Sequence, residues 1–191
     1  MDKKAVKDFW NEASCGEDLY LKDDDYEKHS EKRYELEPYI LGFADFKSSK
    51  GKKVLEIGVG LGADHSNFAK NDAELYGVDL TERAISHTKN RLRLLNLNST
   101  LQCADAENLP FDDNYFDVVY SWGVLHHSPD TEKAINEVYR VLKDDGIAKI
   151  MIYHKYSFVG YMLWFRYSLL TLRFHSLNYI YCHYLESSGT K

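Results

Sequence analysis

Cysteine is scarce in this 191-residue chain: Cys15, Cys103 and Cys182 are all there is. An odd, scattered set with no Cys-x-x-Cys excludes a disulfide framework and a thiolate metal site, and it fits a reducing compartment. Only three prolines occur, and one of them, Pro38, falls inside a helical pattern that it interrupts or ends. Positive charge is in deficit: 24 basic against 30 acidic residues leave a net charge of −6, which argues against a general nucleic-acid binder. Long apolar runs are missing too. The opening MDKKAVKDFW has no signal-peptide core, so the cytoplasm is the expected location. The longest apolar stretch, Ser157 to Leu172, carries Arg166 near its middle and falls short of the roughly 20 residues that a membrane span needs. A packed helix or lid is the favoured reading. Surface contact with lipid is the lesser one, from Arg166 and Arg173 flanking Trp164. Internal repeats and low-complexity tracts are absent.

What is present reads as one globular domain, 44% hydrophobic and 28% charged. Residues 1–50 are polar and aromatic, with an acidic run at Asp23, Asp24 and Asp25, and form an expected helical cover. From 51 to 153 a rhythm sets in. KKVLEIG, AELYGVDL, TLQCADA, YFDVVYSW and GIAKIMIYH are short runs rich in Val, Ile, Leu and Tyr, as suits buried strands. Helical patterns separate them. Thr81 is a plausible N-cap before Ile85, Thr88, Leu92 and Leu95. Ser128 with Pro129 is expected to start a second helix, with Ala134, Ile135, Val138, Val141 and Leu142 on its face and Asp144 to Gly146 closing it. Such alternation predicts a parallel sheet with helices on both faces. Residues 154–191 are aromatic throughout and read as one or two helices.

The glycine loop VLEIGVGLGAD, Val54 to Asp64, asks for a ligand close to its backbone. Gly58, Gly60 and Ala63 satisfy the dinucleotide fingerprint formally. Glu56 speaks against a pyrophosphate there, and no Lys or Arg between Val54 and Ala69 offsets it. A cationic ligand reverses the sign of that argument. S-adenosylmethionine carries a sulfonium and an ammonium against one carboxylate, and Glu56 suits its amino-acid end. Asp79 closes the second strand, where an acidic residue accepts from ribose hydroxyls, of NAD as well as of S-adenosylmethionine; a solvated strand-end residue is the bland alternative. Asp105 follows the third strand. It can accept from an adenine amine while the Ala106 backbone meets a ring nitrogen, or it can simply cap a helix.

The motifs VLEIGVGLG, GVDL, DAENLPF, FDVVYSWGVLHH and INEVYRVLKDDG make residues 53–153 resemble the class I S-adenosylmethionine-dependent methyltransferases, most closely the group with the ubiquinone and menaquinone C-methyltransferases. That resemblance implies an α/β fold, a Rossmann-like doubly wound and mainly parallel sheet of strand order 3-2-1-4-5. It implies S-adenosyl-L-methionine as cofactor, held at Glu56, Gly58, Gly60 and Gly62, at Asp79 and Leu80, at Asp105 and Ala106, and at Ser121 and Trp122. The family sheet ends with two further strands. The sequence after Tyr153 has no strand–turn–strand pattern for them, so a truncated chain or an open sheet edge is expected.

Methyl transfer needs alignment, exclusion of water and, for some acceptors, a base. His126 and His127, just after the fourth strand, are candidates for that base; the other reading has them packing or capping the next helix. Trp10 and Tyr20 are candidates for a cofactor cover or for buried anchors, and Arg33 with Tyr34 for the cofactor carboxylate or a solvated helix face. Cys15 has no base suggested nearby. No Asn-Pro-Pro-Tyr run follows the fourth strand, which speaks against methylation of nucleobase or glutamine amino groups. A small-molecule acceptor, apolar or aromatic, with an oxygen or carbon nucleophile, is therefore expected. The segment Tyr156 to Leu172 is expected to form a lid over the same crevice. An NAD-dependent oxidoreductase and a non-catalytic cofactor-binding fragment are the competing functions. No metal site is expected.

Overall fold

Strands that are apolar on both sides belong inside an α/β sandwich, and β1 (Lys53–Ile57) shows it: Val54 and Leu55 are fully buried although their side chains point to opposite faces. The computed structural model describes residues 3–12, 14, 17, 25–154 and 156–185; Cys15 and Tyr20, and with them Asp23 and Asp24, lie outside these. β1 is joined by β2 (Glu74–Asp79), β3 (Thr100–Cys103), β4 (Phe116–Trp122) and β5 (Leu142–Met151) in one parallel sheet of order β3-β2-β1-β4-β5. The register sets Glu56 beside Gly77 of β2 and Tyr120 of β4. Leu55, Ile57, Val78, Val119 and Val138 pack on one face. Val54, Phe68, Leu75, Val118 and Tyr120 pack on the other with Ile40 and Phe46.

Local chemistry sets the helix starts. Thr81 Oγ1 accepts from the Ala84 N–H and caps Glu82–Leu94, whose Ile85, Thr88 and Leu92 are buried as the spacing predicts. Pro38 does break the N-terminal helical run, which divides into Tyr26–Leu36 and Tyr39–Ala44. Two boundaries differ from the sequence reading. The helix Thr131–Val141 is capped by Asp130, which accepts from the Lys133 N–H, while Ser128 Oγ donates to Glu107 at 2.6 Å. That helix ends at Val141, and Leu142 already pairs with Phe116. Asp144 to Gly146 therefore lie within β5, where the pairing slips between Phe116 and Val118.

The N-terminal helices are pinned by charge. Arg91, buried on Glu82–Leu94, donates to the carbonyls of Tyr26 and Leu61, to Ser66 Oγ and Ser30 Oγ, and to His29 Nδ1. Burial lowers the Arg91 pKa only to about 10, so it stays charged at neutral pH. Burial, reinforced by Arg91, takes His29 down to about 4, which leaves a neutral ring able to accept. At the other end, Phe158–Trp164 and Leu177–Ile180 each run on into a wider-wound turn, over Phe165–Leu169 and Tyr181–Leu185. The two arms hold each other. Trp164 Nε1 and Ser168 Oγ both donate to the His175 carbonyl, and Tyr167 stacks on Tyr184 at 4.2 Å between centroids. Among the described residues no helix is long and apolar enough to cross a membrane.

Candidate active site

A crevice of about 370 Å³ opens at the carboxyl ends of β1, β2 and β3, within the range of small-molecule sites. The glycine loop forms its floor. Its glycines serve different needs. Gly58 has φ +83°, and a Cβ there would lie 2.2 Å from Val124 Cγ2, so this position answers to the protein's own packing. Gly60, φ +51°, would meet nothing within 4 Å. Its missing side chain leaves open room on the crevice side. Gly62, also lining the crevice, caps the helix Ala63–Lys70.

Glu56, 4% exposed, lines the floor, but it is not the bare carboxylate that the sequence suggests. Its Oε2 lies 2.8 Å from Nδ1 of fully buried His65, and His65 Nε2 lies 2.8 Å from Ser99 Oγ. Burial, with Asp64 nearby, pushes the Glu56 carboxyl well above its ordinary range, and burial takes His65 down to about 3. Beside this pair, Asp64 accepts two bonds from Arg33 and one each from the hydroxyls of Tyr34 and Tyr120. Burial works against the Arg33 charge, but Asp64 outweighs it and raises the pKa. Arg33 therefore belongs to a buried cluster at the crevice wall and not to a solvated helix face.

Asp79 and Asp105 both line the crevice. Asp79 Oδ1 accepts from the Thr81 N–H and hydroxyl, and Oδ2 from the Gly60 N–H at 3.2 Å, so the carboxylate faces the loop tip; burial raises its pKa. Asp105 Oδ1 accepts from the Glu107 N–H, and its Oδ2 takes Lys3 Nζ at 2.5 Å. Lys3 also reaches Glu107 at 2.7 Å, which ties the first helix, Lys3–Glu12, across the crevice. Leu80, Ala106 and Trp122 line it as well, and the buried indole N–H of Trp122 has no hydrogen-bond partner among the described residues.

Three expectations are corrected. Ser121 is fully buried and donates to the Ile57 carbonyl at 3.0 Å, because its β4 position turns it into the sheet and away from the crevice. Of the histidine pair, His127 lines the crevice, against Trp10 at 5.4 Å between centroids, whereas His126 is 2% exposed beneath it and edge-on to Tyr153. The lid is not at the crevice either: among the described residues the last that lines it is Tyr153, and Trp164 and Ser168 of the segment beyond bond to His175 of the same segment. Sequence reasoning passed over Lys3, His65 and Ser99. A histidine in the first turn after a glycine loop was the one signal available for this group. Among the described residues no cluster of His, Cys, Asp or Glu could hold a metal ion.

Comparison with known proteins accords with this geometry. Residues 55–150 match the methyltransferase domain family. The chain is 31% identical over 141 residues to the ubiquinone biosynthesis O-methyltransferase of Coxiella burnetii, across 74% of this chain and 55% of that protein. It is 41% identical over 98 residues to the phthiotriol/phenolphthiotriol dimycocerosates methyltransferase of Mycobacterium tuberculosis, across 50% and 36%. The crystal structure of YcgJ from Bacillus subtilis superposes with a TM-score of 0.54 at 31% identity, over 58% of this chain and 49% of that one. The chain thus spans about half the length of the curated relatives that it matches. With the sheet order, the glycine loop and the family match in agreement, the chain belongs to the class I S-adenosylmethionine-dependent methyltransferases.

Proposed function

We propose that this chain carries the cofactor site and part of the acceptor site of an enzyme that moves a methyl group from S-adenosylmethionine to an oxygen or carbon nucleophile of a small apolar or aromatic molecule. One observation carries the reading: Glu56, Asp79 and Asp105 stand at the ends of three neighbouring parallel strands and line one crevice around a glycine loop. Three carboxyl groups without a lysine or arginine on the loop suit a ligand with cationic and hydroxyl groups and offer a pyrophosphate no counter-charge on the loop. In this reading Asp79 holds the ribose hydroxyls, Asp105 and Ala106 the adenine edge, and Glu56 the amino-acid end. When bound, the cofactor supplies a methyl group activated by the adjoining sulfonium. Trp10, Val124 and Tyr153 wall the crevice with apolar surface and would keep water from the reacting atoms. His127, on that wall, is the proposed base for a hydroxyl acceptor. The name of the Coxiella relative supports an oxygen acceptor. The scattered cysteines support a cytoplasmic location.

Calorimetric titration with S-adenosylhomocysteine, with NAD alongside, tests the cofactor. Asp79→Ala should weaken S-adenosylhomocysteine binding by roughly 1.5–3 kcal/mol through lost charge-assisted hydrogen bonds. Unchanged affinity would remove the ribose role, and tighter binding of NAD would remove the cofactor reading. A labelled methyl donor offered with phenols and quinols then identifies the acceptor by its product.

A further inference from the structure

His65 is buried, lies outside the crevice lining, and touches Glu56, which lies inside it. Hydrogen bookkeeping around it is restrictive. Ser99 Oγ lies 2.8 Å from the Leu75 carbonyl and 2.8 Å from His65 Nε2, and the hydroxyl has one proton. The carbonyl can only accept, so that proton goes to Leu75, and His65 must donate Nε2–H to Ser99. Nδ1 then faces Glu56 Oε2 at 2.8 Å. Two lone pairs at that distance repel, so a second proton lies between them. It sits either on Glu56, with both groups neutral, or on Nδ1, as carboxylate and imidazolium. Burial disfavours both charged forms and keeps the proton on Glu56 as long as no cation faces it. Gly77 makes room for the ring, since a Cβ there would lie 2.6 Å from His65 Cε1.

We infer that His65 is a positioning residue that holds Glu56 in place and takes up its proton when a cationic amino group enters the crevice, so that Glu56 becomes the counter-charge without any proton leaving the protein. The Glu56 O–H bond breaks, an Nδ1–H bond forms across the existing 2.8 Å contact, and the imidazolium stays bonded to Ser99 through Nε2–H. The other charged and titratable groups around Glu56 do not replace this acceptor. Arg33 is committed to Asp64, Arg91 to the helix Tyr26–Leu36, and Asp79 to Thr81 and Gly60, while burial holds the Tyr34 and Tyr120 hydroxyls protonated. The inference rests on the cofactor reading above.

The test compares S-adenosylhomocysteine, which has the amino group, with methylthioadenosine, which lacks it, by calorimetry between pH 6 and pH 8. Wild-type affinity for both should be flat. His65→Asn keeps a hydrogen bond to Glu56 but cannot take the proton, which must then go to solvent. Its S-adenosylhomocysteine affinity should be weaker at pH 6 and should tighten by about tenfold per pH unit, with methylthioadenosine unaffected. A His65→Asn profile parallel to wild type, or an equal loss for both ligands, would overturn the inference and leave the cofactor reading intact. A wild type that binds neither nucleoside would overturn both. Should His65→Asn fail to fold, the wild-type heat in buffers of different ionisation enthalpy decides: no net proton exchange at pH 7 is expected, and release of about one proton per ligand overturns the inference.

Discussion

Asp64 concentrates more interaction than any side chain the crevice was expected to need. It accepts four hydrogen bonds from Arg33, Tyr34 and Tyr120 while 3% exposed. Asp64→Ala would strand the Arg33 charge and two buried hydroxyls, and should cost about 3–5 kcal/mol, read as a fall in melting temperature of about 6–20 °C. The glycines separate under substitution as well. Gly58→Ala should destabilise the fold, since the new Cβ must displace Val124 at a positive φ; Gly60→Ala should keep the fold within about 1–2 kcal/mol and weaken cofactor binding. Circular dichroism melts paired with ligand titrations distinguish the two. At this scale the sequence was legible where a residue type has a backbone consequence or a strand-end position, as with Glu56, Asp79 and Asp105. It was silent on His65, whose partners lie nine residues before it and 34 after it, and it misplaced Ser121, whose burial depends on which way one strand position faces.

Elements carry the pH response. The first helix reaches the far side of the crevice through Lys3, bonded to Asp105 and Glu107. Burial works against the Glu107 charge, but hydrogen bonds from Lys3 and Ser128 hold its pKa down to about 2, and bonds to Asp105 and Glu107 raise that of Lys3. A depressed carboxylate contributes above its unfolded value of about 4.5 and loses that contribution as pH falls through about 2; a raised lysine contributes below about 10.5 and loses it only above. The helix should therefore stay docked between those limits and release between pH 4.5 and pH 2. Trp10 fluorescence should report the release, with Trp122 and Trp164 replaced by Phe. Lys3→Met should remove most of the transition, and an unchanged acid limb would assign it to other carboxylates. Element boundaries were legible where a cap or a proline marks them, as at Thr81 and Pro38. The start of β5 was hidden, because its register with β4 slips between the Leu142 and Ile147 pairs, and irregular pairing leaves no periodic trace.

At the scale of the molecule, the five-strand order follows from the motifs, whereas the surroundings of the last strand do not. Among the described residues β5 pairs with β4 alone, and Ile147 is half exposed, as are Tyr156, Tyr161, Met162 and Phe165 beyond it. Ile147→Lys should reduce concentration-dependent association in light scattering without lowering the melting temperature by more than about 2 °C, as expected of a charge on a sheet edge. The fold class was readable because alternating strands and helices write a period into the sequence; the packing of the aromatic arms was not, because aromatic residues serve a core and a surface alike. Arg91 adds a consequence for synthesis. The helix Tyr26–Leu36 leaves the ribosome first, yet the guanidinium that fastens it, and that sits within reach of the floor of the crevice, lies 65 residues behind Tyr26. At translation rates of about 5–20 residues per second, that helix waits roughly 3–13 s for its anchor. During that time His29 and Ser30, the partners of Arg91 on that helix, face solvent, although Asp64 reaches Arg33 and Tyr34 earlier. A nascent chain thus presents an open, unwalled glycine loop first and acquires its wall afterwards, in the reverse of the order in which the two are encoded.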